Sequence, residues 1–534
     1  MFATEHLVQN LNTNIDALLK IVSKTITRKA GIITLSSAIA LAFLYSTIQK
    51  FIQPSKKLRH LPFISYLTFL RYVFKDALLE AYSKEQILPL MKRSNGVYVR
   101  PTVQGWSVMF ANPVAVKQLL LKPESSFPKA LSNVGLPGTL INKFIGGPSI
   151  LSVSGPDWKR HRKIANPAFQ RSMPITTFGE LTIKMFEVIN KEPGDTIDVL
   201  DLFERWTLDA IGITGFDFDF NALGDKHNKW VDYYDSVKGG MSNPFFIFFY
   251  QFDTKYVHLF KKRKELHEKL DKFLSNLDDI INQKRELVRH NISKTTDSER
   301  DLLTLMIESE MNEEGDKMSN EELRSNLCIF FLAGHDTTAN TLAFALYELA
   351  MNPELQEKAR EEAIRVLGDS PADAIPTLEQ TKELNFLNMV IKETLRRHPP
   401  VYNITSRVVL EDMDIVGNFI PKGSEVTVDI YNLHHNPEVW TDPYKFNPDR
   451  FLPGGEADSK EGIVWAPFSN GGRQCIGMNF SLAEQRVVLS MLLRKYTWSL
   501  PENSPHKKVL QKKGIAWGLV IMSDKLDLIF KKRY

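Results

Sequence analysis

Residues 468–477 read FSNGGRQCIG, so that Phe468, Gly471, Gly472, Arg473, Cys475 and Gly477 stand within ten positions, just before the strongly helical run SLAEQRVVLSMLLRKY. A cysteine placed in this way has two readings. It is a buried structural thiol at a helix start, the usual fate of a lone cysteine, or a thiolate kept ionised to bind a metal. Neighbouring glycines expose backbone N–H groups that stabilise a thiolate and let a flat ligand come close, and Arg473 would meet a carboxylate. The spacing favours the second reading. Five fixed residues in F-x-x-G-x-R-x-C-x-G arise by composition on the order of once per ten thousand chains of this length.

The remainder of the chain sets the frame. Its 534 residues are 43% hydrophobic and 24% charged, with 28 Gly and 27 Pro, which excludes collagen-like and wholly disordered chains. A net charge of +4, evenly spread, argues against a nucleic-acid groove and for no nucleic-acid partner. The other cysteine, Cys328, is far from Cys475 in sequence, which excludes a disulfide framework and a thiolate zinc cluster and makes Cys328 a core residue. Residues 30–49 carry 20 uncharged positions, about 30 Å as a helix, and read as a transmembrane anchor. Before them, residues 1–29 place Leu7, Leu11, Ile15, Leu18, Leu19 and Val22 at helical spacing, an amphipathic segment for a membrane surface. Basic residues flank the anchor on both sides, so charge alone does not orient it.

Residues 50–62 form a linker, and 63–534 read as one large helix-rich body without repeats, mainly α in an α+β class with small β-sheets. Ser319 and Glu322 form a capping box ahead of an apolar helical run to about Ala350, and 258–289 is a charged helix flanked by solvent. Short strands are expected at 97–100, 107–110, 401–409 and 425–430, with a C-terminal pair near 519–522 and 526–530.

The 468–477 segment resembles the haem-binding signature of the cytochromes P-450, whose cysteine thiolate is the axial ligand of haem b iron. The resemblance extends over the body, since three further family motifs follow in the expected order. E-x-x-R occurs five times, at Glu286/Arg289, Glu321/Arg324, Glu357/Arg360, Glu362/Arg365 and Glu393/Arg396, and for most of these an exposed i,i+3 ion pair is expected. Position selects Glu393 and Arg396, which precede Pro399-Pro400, Arg450 and the cysteine. Arg450 would complete a Glu–Arg–Arg network that holds the cysteine loop. Asp449 stands where the family more often carries glutamate. The stretch Ala333-Gly334-His335-Asp336-Thr337-Thr338 puts polar residues into an apolar helix and invites a local distortion. By resemblance, Asp336 and Thr337 lie on the oxygen side of the iron and organise water for proton delivery. Trp158 and Arg162, Arg407, Phe468, Arg473 and Gly477 would surround the cofactor, the arginines meeting its propionates.

The resemblance implies a haem-thiolate monooxygenase that inserts one atom of dioxygen into a C–H bond of a lipophilic substrate and releases the other as water. A steroid is favoured, a fatty acid next. Two electrons must come from outside, because no G-x-G-x-x-G fingerprint is present. A separate NADPH-cytochrome P-450 reductase is therefore expected, with cytochrome b5 as a second donor, and the basic run 159–163 is a candidate docking surface. Microsomal relatives with such an anchor sit as single-pass proteins in the endoplasmic reticulum membrane with the catalytic body in the cytosol. Substrate contacts are expected from 127–150, 241–252, the central helix before Thr337, 401–406 and 514–518. Two rival readings are a haem-thiolate isomerase or dehydratase acting on peroxides, and a haem-binding sensor without turnover.

Overall fold

The capping box at Ser319 begins the helix on which the rest is laid. The Ser319 hydroxyl accepts the Glu322 N–H at 3.2 Å while the Glu322 carboxylate accepts the Ser319 N–H at 2.7 Å, satisfying two otherwise orphaned donors. From there the helix runs unbroken over Asn320–Met351 and is buried along most of its length. No break interrupts the helix at Gly334 to Thr338. Thr337 and Thr341 instead bond the carbonyls four residues back, at 2.7 and 2.8 Å, within a continuous helix. The computed structural model describes residues 52–534 and several positions between 37 and 49, apart from 76, 103–104, 123–125, 131–134, 171–172, 242, 291–300, 312–316, 514–521 and 524.

Two hydrophobic clusters flank this central helix, and it belongs to both. Its C-terminal half, Ala339 to Leu349, packs with helices Ile175–Lys191, Val199–Phe216, Asn385–Arg397 and Met478–Lys495. Its N-terminal half, Leu323 to Phe331, packs with Lys229–Met241, Lys261–Arg289 and Leu302–Met311. The charged helix expected over 258–289 is Lys261–Arg289, with Leu270, Phe273, Leu277 and Ile281 turned inward.

The sheets are small, as expected for the class. The largest orders its strands Val97–Thr102, Gly105–Phe110, Glu425–Val428 and Arg407–Val408, with Gly105–Phe110 parallel to Glu425–Val428. Of the expected strand 401–409 only Arg407–Val408 forms, because the Tyr402 carbonyl accepts the Ile430 N–H at the start of the helix Ile430–His434. The C-terminal strands do not pair with each other. Met522–Ser523 pairs with Lys512–Lys513, and Asp527–Lys532 lies between Thr196–Asp198 and Tyr496–Ser499.

The expected anchor over 30–49 and the amphipathic segment 1–29 lie wholly or largely outside the described residues. Among the described residues no helix is long and apolar enough to cross a membrane.

Candidate active site

The cysteine loop is shaped by its glycines. Gly471 has φ +70°, and a Cβ there would lie 2.3 Å from the Leu120 carbonyl oxygen, so only glycine fits. After the tight turn Gly471–Arg473 the chain returns, and the Cys475 N–H donates to the Phe468 carbonyl at 2.9 Å. The Cys475 side chain is exposed, opening on a cleft, while the protein packed around the sulfur desolvates it and raises its thiol. Two features oppose that rise: the Gly477 N–H directed at the sulfur and the nearby Arg162 guanidinium.

The residues expected around the cofactor converge here. Trp158 and Arg162 share the helix Gly155–Gln170, and Arg162 reaches the loop by donating to the Gln474 carbonyl at 2.9 Å. The Arg473 guanidinium lies 4.1 Å from the centre of the Trp158 ring and donates to the Val153 carbonyl at 2.9 Å. Arg407 is buried and donates to the Leu119 carbonyl, one residue from the Leu120 carbonyl that abuts Gly471. Three guanidinium groups thus gather about one cysteine. The basic run 159–163 is less open than its sequence suggests: Arg160 pairs with Glu322, and His161 is buried between Glu322 and Asn326.

Beneath the loop, Glu393, Arg396 and Arg450 form the expected network, and all three are buried. Arg396 grips Glu393 with Nε at 2.6 Å and Nη2 at 2.8 Å, and sends Nη1 to the carbonyls of His434 and Pro443. Arg450 approaches Glu393 at 3.4 Å, bonds Glu456 and donates to the Asp442 carbonyl, while the Asn447 N–H completes the carboxylate at 2.9 Å. Of the other four E-x-x-R matches, Glu286/Arg289 is the exposed pair expected. Glu357/Arg360 and Glu362/Arg365 also form the i,i+3 pair, at 3.0 and 3.6 Å, each with one partner exposed and the other largely buried. Arg324 pairs with Asp278, Arg360 is buried against the carbonyls of Leu493 and Tyr496, and Glu362 accepts the N–H groups of Phe386 and Leu387.

On the central helix, Ala333 is exposed and Thr337 half-buried where the surrounding turns are buried, so the helix is accessible there. Thr338 then ties this helix to the cysteine helix, its hydroxyl 2.9 Å from that of Ser481. Asp336 is directed elsewhere. Its carboxylate accepts the Tyr234 hydroxyl at 2.9 Å and the Lys238 ammonium at 3.3 Å, and Lys238 also bonds Glu204 at 2.8 Å. Burial pushes the Glu204 carboxyl up to about 7 against the pull of Lys238. His335, given no part by the sequence, is buried with Nδ1 3.1 Å from Thr207, and burial lowers it to about 4. Glu484 on the cysteine helix is fully buried beside Thr338, which drives its carboxyl well above the usual range. Sequence reading missed Glu204, Tyr234, Lys238 and Glu484, and only an ionisable residue inside an apolar helical run, as with Glu484, offered a signal.

The family model for cytochrome P-450 matches residues 99–530, which spans both the cysteine loop and the central helix. The chain belongs to the cytochrome P-450 family. Human cytochrome P-450 3A5 is 31% identical over 355 residues, covering 64% of this chain and 68% of the relative. Rat cytochrome P-450 4F1 is 31% identical over 404 residues, covering 71% and 74%. Mouse leukotriene-B4 omega-hydroxylase 3 is 31% identical over 396 residues, covering 70% and 73%. The crystal structure of the cytochrome P-450DA heme domain superposes with a TM-score of 0.72 at 24% identity, over 89% of this chain and 98% of the other, which shows the fold.

As a P-450 the chain is an oxidoreductase that carries haem with a thiolate-ligated iron. The donor set fits that group. One accessible thiol with an N–H at its sulfur, three arginines for two propionates, and a glycine loop that keeps side chains clear meet its needs.

Proposed function

We propose that this P-450 is a membrane-anchored monooxygenase that inserts one atom of dioxygen into a C–H bond of a lipophilic substrate, with electrons from a separate NADPH-dependent reductase. Cys475 would ligate the haem iron through its thiolate, and the bound haem would supply the electron-rich iron needed for dioxygen reduction. The observation that carries this reading is the pairing of an accessible Cys475 with an opened stretch of central helix at Ala333 and Thr337, held together by the Thr338–Ser481 bond.

The chain's own residues do the rest. Arg162, Arg407 and Arg473 hold the propionates by charge-assisted bonds and so orient the macrocycle. Thr337 presents a hydroxyl to the cleft and positions water, while its own proton is engaged with the Ala333 carbonyl. Asp336 receives protons from the Tyr234, Lys238 and Glu204 side and turns toward Thr337 to pass them on. A carboxylate anchored by one hydroxyl and one shared ammonium can make that turn.

The substrate is lipophilic because the segments expected to face it are apolar and aromatic: Phe127, Leu140, Phe144 and Ile150 are core residues, and Phe245, Phe248 and Phe249 are exposed as a patch suited to a bilayer surface. Residues 514–518 lie outside the described residues. We favour steroid hydroxylation. The printed name of the mouse relative supports a second reading, ω-hydroxylation of a fatty acid derivative. The anchor, a body facing the cytosol from the endoplasmic reticulum, the reductase and cytochrome b5 belong to the same proposal.

Turnover with reductase, NADPH and labelled dioxygen tests the reaction: label is expected in the product. A product without label points to peroxide isomerisation, and absence of any product points to a sensor. Spectral titration with progesterone, laurate and a terpene separates the substrate classes. A thiolate-type Soret band of the reduced carbon monoxide complex that persists in Cys475→Ala would refute the ligand assignment.

A further inference from the structure

One buried carboxylate outside the cysteine site joins three separate elements. Asp253, 2% exposed, accepts from Arg263 Nε at 2.5 Å, Arg263 Nη2 at 2.7 Å, His267 Nε2 at 2.7 Å and the Leu140 backbone N–H at 3.0 Å. These four donors saturate its oxygens. They come from the long charged helix Lys261–Arg289 and from the short helix Leu140–Ile145. Arg263 extends the link by donating Nη1 to the Gly240 carbonyl at 2.5 Å, near the end of the helix Lys229–Met241. Packing there is close. A Cβ on Gly240 would lie 2.6 Å from Leu266 and 3.1 Å from Leu140, and one on Gly138 would lie 3.3 Å from Thr254.

The aromatic segment 244–252 sits on this clamp. Phe246 covers the Arg263 guanidinium at 4.3 Å from the ring centre, Phe245 stacks on Phe252 at 5.5 Å, and Phe252 meets Phe260 at 5.5 Å. The outer faces of Phe245, Phe248, Phe249 and Tyr250 remain at least 40% exposed. A patch of exposed aromatics normally drifts with its loop, whereas here its inner rings are seated on a buried ion pair that also holds residue 140.

We propose that Asp253 is a positioning residue that makes segments 140–146 and 244–252 move as one entrance to the substrate cleft. The proposal rests on the reading that both segments face the substrate. The Leu140 N–H and the Arg263 fork meet on one carboxylate, so displacing either segment disturbs the anchor of the other.

Asp253→Asn in the haem-loaded full chain tests this, with hydrogen exchange followed in both segments and two iron-ligating probes followed by their Soret shifts. Bulky clotrimazole needs an open entrance and small imidazole does not. Expected are faster exchange in both segments and clotrimazole association faster by about tenfold, with imidazole unchanged. Faster exchange in only one segment, or equal acceleration of both probes, overturns the coupling. Faster exchange in both segments with neither probe accelerated overturns the substrate-facing reading, and the entrance with it. Should Asp253→Asn not fold, Arg263→Lys removes the fork while keeping the charge, and the same outcomes apply.

Discussion

Two buried carboxylates flank the cleft of this P-450, and they are held in opposite ways. Glu393 accepts from the Arg396 guanidinium and the Asn447 N–H, with Arg450 3.4 Å away, and the arginines spend other donors on backbone carbonyls and on Glu456. No rotation of Glu393 preserves those bonds. Asp336 accepts one hydroxyl and one ammonium, and that ammonium is shared with Glu204. The first carboxylate is bound by a fork and a backbone N–H, while the second shares its ammonium with another carboxylate. In the function proposed above, the first carboxylate holds the cysteine loop and the second passes protons.

The sharpest way to break this contrast is at Glu393. Glu393→Gln takes the carboxylate partner from the buried Arg396 guanidinium and costs about 3–5 kcal/mol; the expected result is loss of haem-loaded protein, read as absence of the thiolate Soret band. Asp336→Asn should leave that band intact and lower product formation by about a hundredfold, the lower end of what a positioned acid contributes. An unfolded Asp336→Asn protein would erase the distinction. Thr337→Ala should slow electron consumption little while diverting the reducing equivalents to hydrogen peroxide, measured as the ratio of peroxide to NADPH consumed. The smallest effect concerns pH. Glu204 has a folded pKa raised to about 7, so its contribution to stability is full below its unfolded value of about 4.5 and is lost as pH rises through 7. Glu204→Gln should therefore flatten the melting temperature between pH 5 and 8, by roughly a few degrees at most.

The cysteine loop was legible because its chemistry is local: a turn, a thiol and the glycines that clear space all fall within ten residues. The capping box was legible for the same reason, as was the choice of Glu393 over four other E-x-x-R matches once the order of motifs was considered. Partners separated by long stretches of chain were not legible. Tyr234, Lys238 and Glu204 reach Asp336 from helices roughly a hundred residues away, and no local pattern marks them. The same limit explains the other E-x-x-R pairs. The i,i+3 rule holds for Glu357/Arg360 and Glu362/Arg365, but it does not show that Arg360 also finds the carbonyls of Leu493 and Tyr496 or that Glu362 also caps a neighbouring helix. Strand pairing failed where strands are two to six residues long and their partners are non-local, as with Asp527–Lys532 between Thr196–Asp198 and Tyr496–Ser499.

Cys328 and Cys475 differ in a way that gives the protein an internal gauge. Cys328 is buried in the central helix, where burial raises its thiol to about 12, so it stays unreactive toward alkylating reagents at neutral pH. Cys475 is the accessible thiol, and iron held at its sulfur, as proposed above, would block alkylation. A single mass increment on the intact chain therefore counts the molecules without cofactor, and loading can be read from a mass spectrum with no chromophore at all.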